Sequence, residues 1–476
     1  MAKLKLPKLT KVVNSGVKKK KVMLLSDDLR MSSGVGTVSK NFVLGTLNKF
    51  DWVQVGGAIK HPEEGKVVDM NDSVRKETGV ADASLKIYPI SGYGNQELIR
   101  HLINIEKPDA ILHYTDPRFW QWLYQMEHEI RQNIPIFYYN IWDDLPYPRY
   151  NEFFYESSDL IMNISKQTVN IVEQVAQKKP RTDWDCTYIP HGIPEESFFP
   201  VDKKDKQFIT FKKEVCQGKD YDFVLFWNNR NIRRKLPGDI ILAYKTFCDG
   251  LTKEEAKKCV LVMHTAPRDD NGTDLPAVVR EICPMYDIIF SHQRLEDKHL
   301  NMLYNIADVQ INLASNEGFG LGTAEAIMAG TPAIVNVTGG LQDQCGFKLK
   351  GKHVGYEDYR EIVSFHDRDK WMDNPDLTWG EWMKPVWPAC RSLQGSIPTP
   401  YIFDDRPRFE DAAVRIREWY DTPKDERVKA GLKGREWMLK EEVALSAKHM
   451  CNLFIEHMET AWKKWTPRKR FTMYKA

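Results

Sequence analysis

Residues 307–326 read Ala307-Asp308-Val309-Gln310-Ile311-Asn312-Leu313-Ala314-Ser315-Asn316-Glu317-Gly318-Phe319-Gly320-Leu321-Gly322-Thr323-Ala324-Glu325-Ala326. A strand is expected at Val309–Leu313, the next residues are punctuated by glycine, and a helix is expected across Thr323–Ala329. A strand feeding a glycine loop that opens a helix is the repeating unit of a doubly wound α/β sheet. Glycines 318, 320 and 322 let the main chain come close to a ligand, and the amides at a helix start attract anions. Glu317 lies just before the helix and Glu325 close to its first turn, so two carboxylates flank one helix start. Such a pair can accept hydrogen bonds from hydroxyls at two ends of one ligand.

Outward from this segment the same alternation recurs twice. Strands are expected at Val53–Ala58, Ala110–Tyr114, Ile134–Tyr139, Leu160–Ile164 and Thr187–Ile189, after a first strand in Lys21–Ser26. Each is separated from the next by loop or helical sequence, as a parallel sheet covered on both faces requires. Gly34-Val35-Gly36 follows the first strand and opens a helix. The polar stretch Val201–Asp220 reads as a linker. A second set then begins at Phe223–Trp227 and continues through Val260–His264, Asp287–Phe290, Val309–Leu313 and Ala333–Val337. The fold expected is α/β: two doubly wound, Rossmann-like domains facing a cleft, with C-terminal helices. The divisions expected are a basic tail over 1–20, a first domain over 21–198, a second over 199–440 and a C-terminal helix over 441–476 that returns to the first domain. Residues 348–401, rich in Trp and Pro, are expected to form an irregular insertion in the second domain.

The composition is 42% hydrophobic and 28% charged, and no apolar run reaches the roughly 20 residues of a membrane span. No signal-peptide pattern is present, and the eight cysteines form no C-x-x-C pair, so a reducing cytoplasm is expected. The net charge of +2 is unevenly spread: residues 1–21 hold eight lysines and residues 461–476 hold six basic residues, with no acids in either stretch. The body between them therefore carries 54 basic against 66 acidic residues. Basic ends on an acidic body can grip a polyanion or lie solvated as tails.

Glu317-Gly318-Phe319-Gly320-Leu321 with Glu325-Ala326, Gly330-Thr331-Pro332 and Gly339-Gly340 resembles the E-x7-E region of the family 4 retaining glycosyltransferases, which have the GT-B fold. The resemblance implies that Glu317 orients the donor sugar and that Glu325 binds ribose hydroxyls. It further implies that the main chain of Gly318, Phe319, Gly320 and Leu321 contacts sugar and phosphate. Arg230 and Lys235, five residues apart after the strand Phe223–Trp227, resemble the family's diphosphate clamp. Gly34 and Gly36 resemble its first-domain glycine loop, which lies near the diphosphate. The donor implied is a nucleotide diphosphate-sugar, UDP-sugar foremost, with retention of configuration and no required metal or other cofactor. Asp183-Trp184-Asp185 spells a metal-site D-x-D but lacks the context of one.

The first-domain pattern is weaker. The family's strand-end His is not matched: His113 is out of phase, and the position falls on Thr115 or Asp116. Asp116, Trp142, Asp143 and Asp144 are the candidate sugar or acceptor contacts, and His191 reads as a turn residue. For the acceptor, the basic termini, the aromatics Phe119, Trp120, Trp122 and Tyr124, and a likeness to glycosyltransferases of large tailed phages point to a hydroxymethylated pyrimidine in DNA, acted on in the host cytoplasm. The alternative is a saccharide or lipid-linked acceptor, the commoner habit of the family. A non-catalytic nucleotide-sugar or nucleic-acid binding protein is disfavoured by the joint presence of Glu317, Glu325, Arg230 and Lys235.

Overall fold

The computed structural model describes residues 18–57, 61–176, 184–356 and 374–469. Residues 1–17 and 470–476 of the basic termini, and Asp183 of the D-x-D, lie outside the described residues, whereas Lys18 to Lys21, Lys463, Lys464, Arg468 and Lys469 lie within them.

Two parallel sheets organise the chain. The first holds β1 (Lys20–Asp27), β2 (Phe50–Gly57), β3 (Val68–Asp69), β4 (Leu85–Pro89), β5 (Ala110–Tyr114), β6 (Ile136–Asn140), β7 (Leu160–Asn163) and β8 (Cys186–Tyr188). Their order is β3-β4-β2-β1-β5-β6-β7-β8, with β3 the antiparallel edge. The second holds β9 (Phe223–Asn228), β10 (Cys259–His264), β11 (Ile288–Ser291), β12 (Val309–Asn312) and β13 (Ala333–Asn336). It runs β11-β10-β9-β12-β13 and ends in a sixth strand described below. Both sheets are covered on two faces, which is why β1 and β9 carry continuous apolar runs rather than alternating ones. β3 and β4 were not among the expected strands; β4 alternates buried and half-buried residues because it lies near the sheet edge.

The strand order reverses between β1 and β5 in the first sheet and between β9 and β12 in the second. Connections leave in opposite directions at such a point, so a crevice opens beyond the strand ends, and ligands of doubly wound sheets bind there. The two crevices face each other: a side chain at Gly34, opening the helix Gly34–Thr46, would meet Leu321 at 3.3 Å, and Leu321 opens the helix Leu321–Met328. This is the GT-B arrangement of two Rossmann-like domains around a cleft.

The helix Ala447–Lys464 follows the second domain but packs on the first. Phe454 stacks on Phe42 at 4.7 Å, and Trp462 Nε1 donates to the Asp109 carbonyl at 3.1 Å. Gly45 makes this approach possible, since a methyl there would lie 2.3 Å from Cys451 Sγ.

The insertion is not irregular among its described residues. β14 (Lys348–Leu349), β15 (Lys352–His353) and β16 (Leu377–Thr378) form a small antiparallel sheet. β17 (Met383–Val386) pairs in parallel with β13 as the sixth strand of the second sheet. β18 (Pro388–Ser396) and β19 (Thr399–Pro407) form a long hairpin. The tryptophans that obscured this pattern are packing residues: Trp382 lies against Trp437 at 4.8 Å, and Trp387 is buried beside Phe347. Trp120 and Tyr124 are likewise fully buried, so of that first-domain aromatic run only Phe119 presents a strongly exposed ring. No described helix is long and apolar enough to cross a membrane.

Candidate active site

A cleft of about 740 Å³ lies between the two switch points. Its second-domain wall is the glycine loop, Asn316 to Gly322, which backbone packing holds in place. Gly340 N donates to the Glu317 carbonyl at 2.9 Å, and a methyl on Gly340 would sit 2.2 Å from the Gly318 oxygen. A methyl on Gly339 would lie 2.0 Å from the Glu317 oxygen, so the pair Gly339-Gly340 is required by contact with the loop it supports. Gln344 Nε2 donates to the Phe319 carbonyl at 2.6 Å. Gly320, at φ 91°, turns the chain into Leu321–Met328 with no side chain capping the helix start. Its first amides are thus available to an anion in the cleft.

Glu317 is buried and forms an ion pair with Lys235, which is buried too. Burial raises the Glu317 carboxyl, but Lys235 and Arg234 outweigh it and leave the group below its ordinary range. Burial brings Lys235 down to about 8 despite the opposing pull of Glu317. The pair is therefore charged near neutral pH, with a desolvated cation and carboxylate placed where a transferring group would sit.

Arg230 stands elsewhere. Its side chain is 62% exposed, pairs with Asp269 at 2.9 Å, and does not line the cleft. Arg234 does line it: its Nη1 donates to the Asn316 carbonyl at 2.6 Å, and its charge acts on Glu317, Asp143 and Asp144. The reason is local. Arg233–Lys235 forms a single 3-10 turn, which sets Arg234 and Lys235 beside Glu317 and leaves Arg233 exposed at the cleft edge, paired with Asp404 at 2.6 Å. The run Arg233-Arg234-Lys235 was visible in the sequence, but not which of its members turned inward.

Glu325 sits one turn into its helix and outside the cleft lining. Tyr304 Oη donates to it at 2.6 Å and accepts from Asn228 Nδ2 at 2.7 Å. Burial pushes the Glu325 carboxyl up to about 7, with the tyrosine hydrogen bond opposing it. Gly34 lines the cleft; Gly36 does not, and serves the turn, since a side chain there would meet the Met31 carbonyl at 2.6 Å.

On the first-domain wall Asp116, Trp142, Asp143 and Asp144 all line the cleft. Asp116 caps the turn Pro117–Trp120 and holds Arg118 through both carboxylate oxygens. The Arg118 guanidinium lies over the Trp142 ring at 5.5 Å, and Trp142 Nε1 donates to the Asp144 carbonyl at 2.9 Å. Trp142 is thus a shelf for Arg118. Asp144 accepts from Asn316 across the cleft, and burial raises both Asp143 and Asp144.

His113 points away into the core against Tyr124, and burial lowers it to about 3. His191 lines the cleft beside Phe319, with Tyr139 Oη 2.8 Å from its Nδ1 and Tyr114 Oη 3.2 Å from its Nε2; burial lowers it to about 3 as well. A neutral imidazole held between two phenols is a positioned wall rather than a proton carrier at neutral pH.

The remaining wall was not anticipated. Gln394 to Ser396, Thr399 and Ile402 of the β18–β19 hairpin line the cleft. The hairpin is tied to the first domain by Phe403 N to the Leu145 carbonyl at 2.6 Å and Tyr150 Oη to the Tyr401 carbonyl at 2.8 Å. Thr338 Oγ1 to Asp405 at 2.9 Å ties it to the second. Among the described residues no group of three or more His, Cys, Asp or Glu is arranged to hold a metal.

Residues 217–391 match the family described as "Family 4 Glycosyltransferase in conflict systems". A comparison with curated protein sequences finds no match. Among solved structures the chain is similar to Anabaena HepE in complex with UDP and glucose, with TM-score 0.61 and 9% identity over 93% of this chain and 100% of that one. It is similar to sucrose-phosphate synthase from Thermosynechococcus elongatus, with TM-score 0.62 and 13% identity over 94% and 100%. A trehalose-6-phosphate structure from E. coli bound with UDP-2-fluoro glucose gives TM-score 0.61 and 12% identity over 94% and 100%. At these identities the likeness is one of fold.

Proposed function

We propose that the protein is a retaining glycosyltransferase that moves a sugar from a nucleotide diphosphate-sugar, a UDP-sugar foremost, to a hydroxyl of a saccharide-type acceptor. The observation that carries this reading is the buried Lys235–Glu317 pair, flanked by Arg234 and set under a glycine-built helix start at the switch point of the second sheet. Lys235, Arg234 and the amides of Phe319 to Leu321 supply fixed positive potential for a diphosphate, which becomes more negative as the glycosidic bond breaks. Glu317 accepts hydrogen bonds from the donor sugar's hydroxyls. The anomeric carbon parts from the β-phosphate oxygen while the acceptor oxygen bonds to the same face of that carbon. The acceptor's proton passes to the departing phosphate, giving the nucleoside diphosphate and a glycoside. No carboxylate nucleophile is needed, and His191, lowered to about 3, takes no part in moving the proton.

UDP is favoured because similar folds carry UDP, UDP-glucose or a UDP-sugar analogue in the same architecture. A hydroxymethylated base in DNA is the less supported acceptor. The first-domain aromatics that suggested it are mostly core residues, and of the basic ends Lys19, Lys20, Lys21 and Arg468 are paired with Asp82, Asp109, Glu106 and Glu127 of the body. The experiment is transfer from a panel of labelled nucleotide-sugars by the wild-type protein and Glu317→Gln, with UDP binding by calorimetry. Glu317→Gln is expected to lower kcat by roughly 10² to 10³. Undiminished transfer by that variant would place the donor site elsewhere.

A further inference from the structure

Asn316 stands where three distant segments of the chain meet. It directly precedes Glu317, is buried, and lines the cleft. Its Nδ2 donates to the Asp144 carboxylate of the first domain and to the Phe403 carbonyl of the β18–β19 hairpin. Its Oδ1 accepts from Ser315 Oγ at 3.0 Å, and its main-chain carbonyl accepts from Arg234 Nη1 at 2.6 Å. Both polar atoms of the side chain are engaged, and its two N–H bonds both reach out of the loop that carries it.

The hairpin completes the circuit. Phe403 N donates to the Leu145 carbonyl at 2.6 Å, so one peptide unit of β19 joins the first domain on one side and Asn316 on the other. Two residues on, Asp405 N donates to the Ser315 carbonyl at 3.1 Å, which roots the hairpin in the same loop. The domains also meet at Asp343, which accepts from Lys166 N at 3.0 Å and from Tyr188 Oη at 3.1 Å, but these three residues lie outside the cleft lining. The junction at Asn316 is instead one residue from the carboxylate that pairs with Lys235.

The distance between the two walls matters to the chemistry, because donor and acceptor must meet in one geometry. A misplacement of about 1 Å costs on the order of 10² in rate. A cleft that stays shut also keeps water from taking the acceptor's place.

We propose that Asn316 is a positioning residue: by bridging Asp144 and the Phe403 carbonyl it latches the first domain and the hairpin to the loop of Glu317, which fixes the width of the cleft and shields it from water. The proposal rests on the glycosyl-transfer reading and adds to it a residue that acts by holding the walls together.

The test uses the full chain and the labelled nucleotide-sugar and acceptor that the wild type turns over fastest, and it separates transfer to the acceptor from release of free sugar to water. Asn316→Ala removes both donors. It is expected to lower kcat about 10- to 100-fold and to raise the released share of consumed donor roughly threefold or more, with UDP affinity by calorimetry kept within about threefold. Asn316→Asp sets acceptors against acceptors and is expected to cost at least as much. Adding Asp144→Asn to it returns a donor to that contact and should recover about fivefold in kcat. Phe403→Pro deletes the N–H to Leu145. Phe403 pairs with Leu393, but its N–H and C=O bond away from β18, so proline leaves the hairpin ladder whole. This variant is expected to raise the released share as well, and it carries the test if Asn316→Ala does not fold. UDP affinity falling in step with kcat, a released share unmoved by the variants, or no recovery in the double variant would overturn the latch. Failure of the wild type both to bind UDP and to turn over any nucleotide-sugar would instead overturn the glycosyl-transfer reading beneath it.

Discussion

The two walls of the cleft are built in different ways. The second-domain wall is backbone packed against backbone: Gly339 and Gly340 press on the carbonyls of Glu317 and Gly318, and Gln344 holds Phe319 from behind. The first-domain wall is side chain on side chain: Arg118 on Asp116 and Trp142, His191 between Tyr114 and Tyr139. Backbone contact fixes a loop to within tenths of an ångström and allows only glycine at the contact points. Side-chain contact can be rebuilt with other residues. A wall of the first kind suits a ligand that does not vary, and one of the second kind suits a ligand that does.

The strongest way to break this contrast is at the charged centre of the rigid wall. Lys235→Met removes the cation paired with Glu317 and, on the proposed transfer reaction, is expected to cost roughly 10² to 10³ in kcat. Single-turnover kinetics with saturating donor separates this from weaker binding. Next is Gly340→Ala, whose methyl would have to displace main-chain atoms of Gly318 and Phe319. Overpacking of this kind costs about 1–3 kcal/mol, and UDP affinity should fall roughly tenfold or more even though residue 340 touches no ligand. Tolerance of alanine there, read by calorimetry, would mean the loop is not held by these contacts.

A smaller effect sharpens the placement of charge. Arg234→Ala is expected to lower kcat/KM about 10- to 100-fold, as loss of a positioned cation does, whereas Arg230→Ala should stay within roughly threefold. The reverse order in a steady-state comparison would favour Arg230 as the clamp that the family resemblance implies.

The smallest effect concerns Glu325. Its carboxyl, about 7 in the folded chain against 4.5 unfolded, keeps a proton that the unfolded chain releases. The native state therefore binds more protons than the unfolded state between those values, and stability falls as pH rises from about 4.5 to about 7. Glu325→Gln should flatten that fall, by on the order of 1 kcal/mol after allowance for partial solvent access. Urea denaturation of both proteins at pH 5 and pH 7.5 checks it; equal slopes would show that Glu325 titrates normally.

The same contrast governs what could be read in advance. Glu317 through Gly322 and Gly339-Gly340 were legible because a loop pressed against backbone leaves a glycine signature. The strand alternation, with Gly34 opening the first helix, was legible because parallel strands buried on both faces must be continuously apolar. Arg234 was missed because a 3-10 turn, not residue spacing, decides which of three adjacent cations faces inward. The β18–β19 hairpin was missed because the tryptophans and prolines around it masked its strand pattern, although Ser396-Ile397-Pro398 separates two runs of strand length.

By itself, then, the sequence determined the class of fold and the glycine loop that lines the cleft, because periodicity and glycine placement are local consequences of burial and close backbone approach. Only the tertiary structure decided which cation reaches Glu317, that Glu325 stands behind the cleft with Tyr304, and that a hairpin from the second domain walls the first. Those outcomes depend on the direction in which side chains leave a turn and on contacts between segments as much as 281 residues apart, as between Arg118 and Thr399.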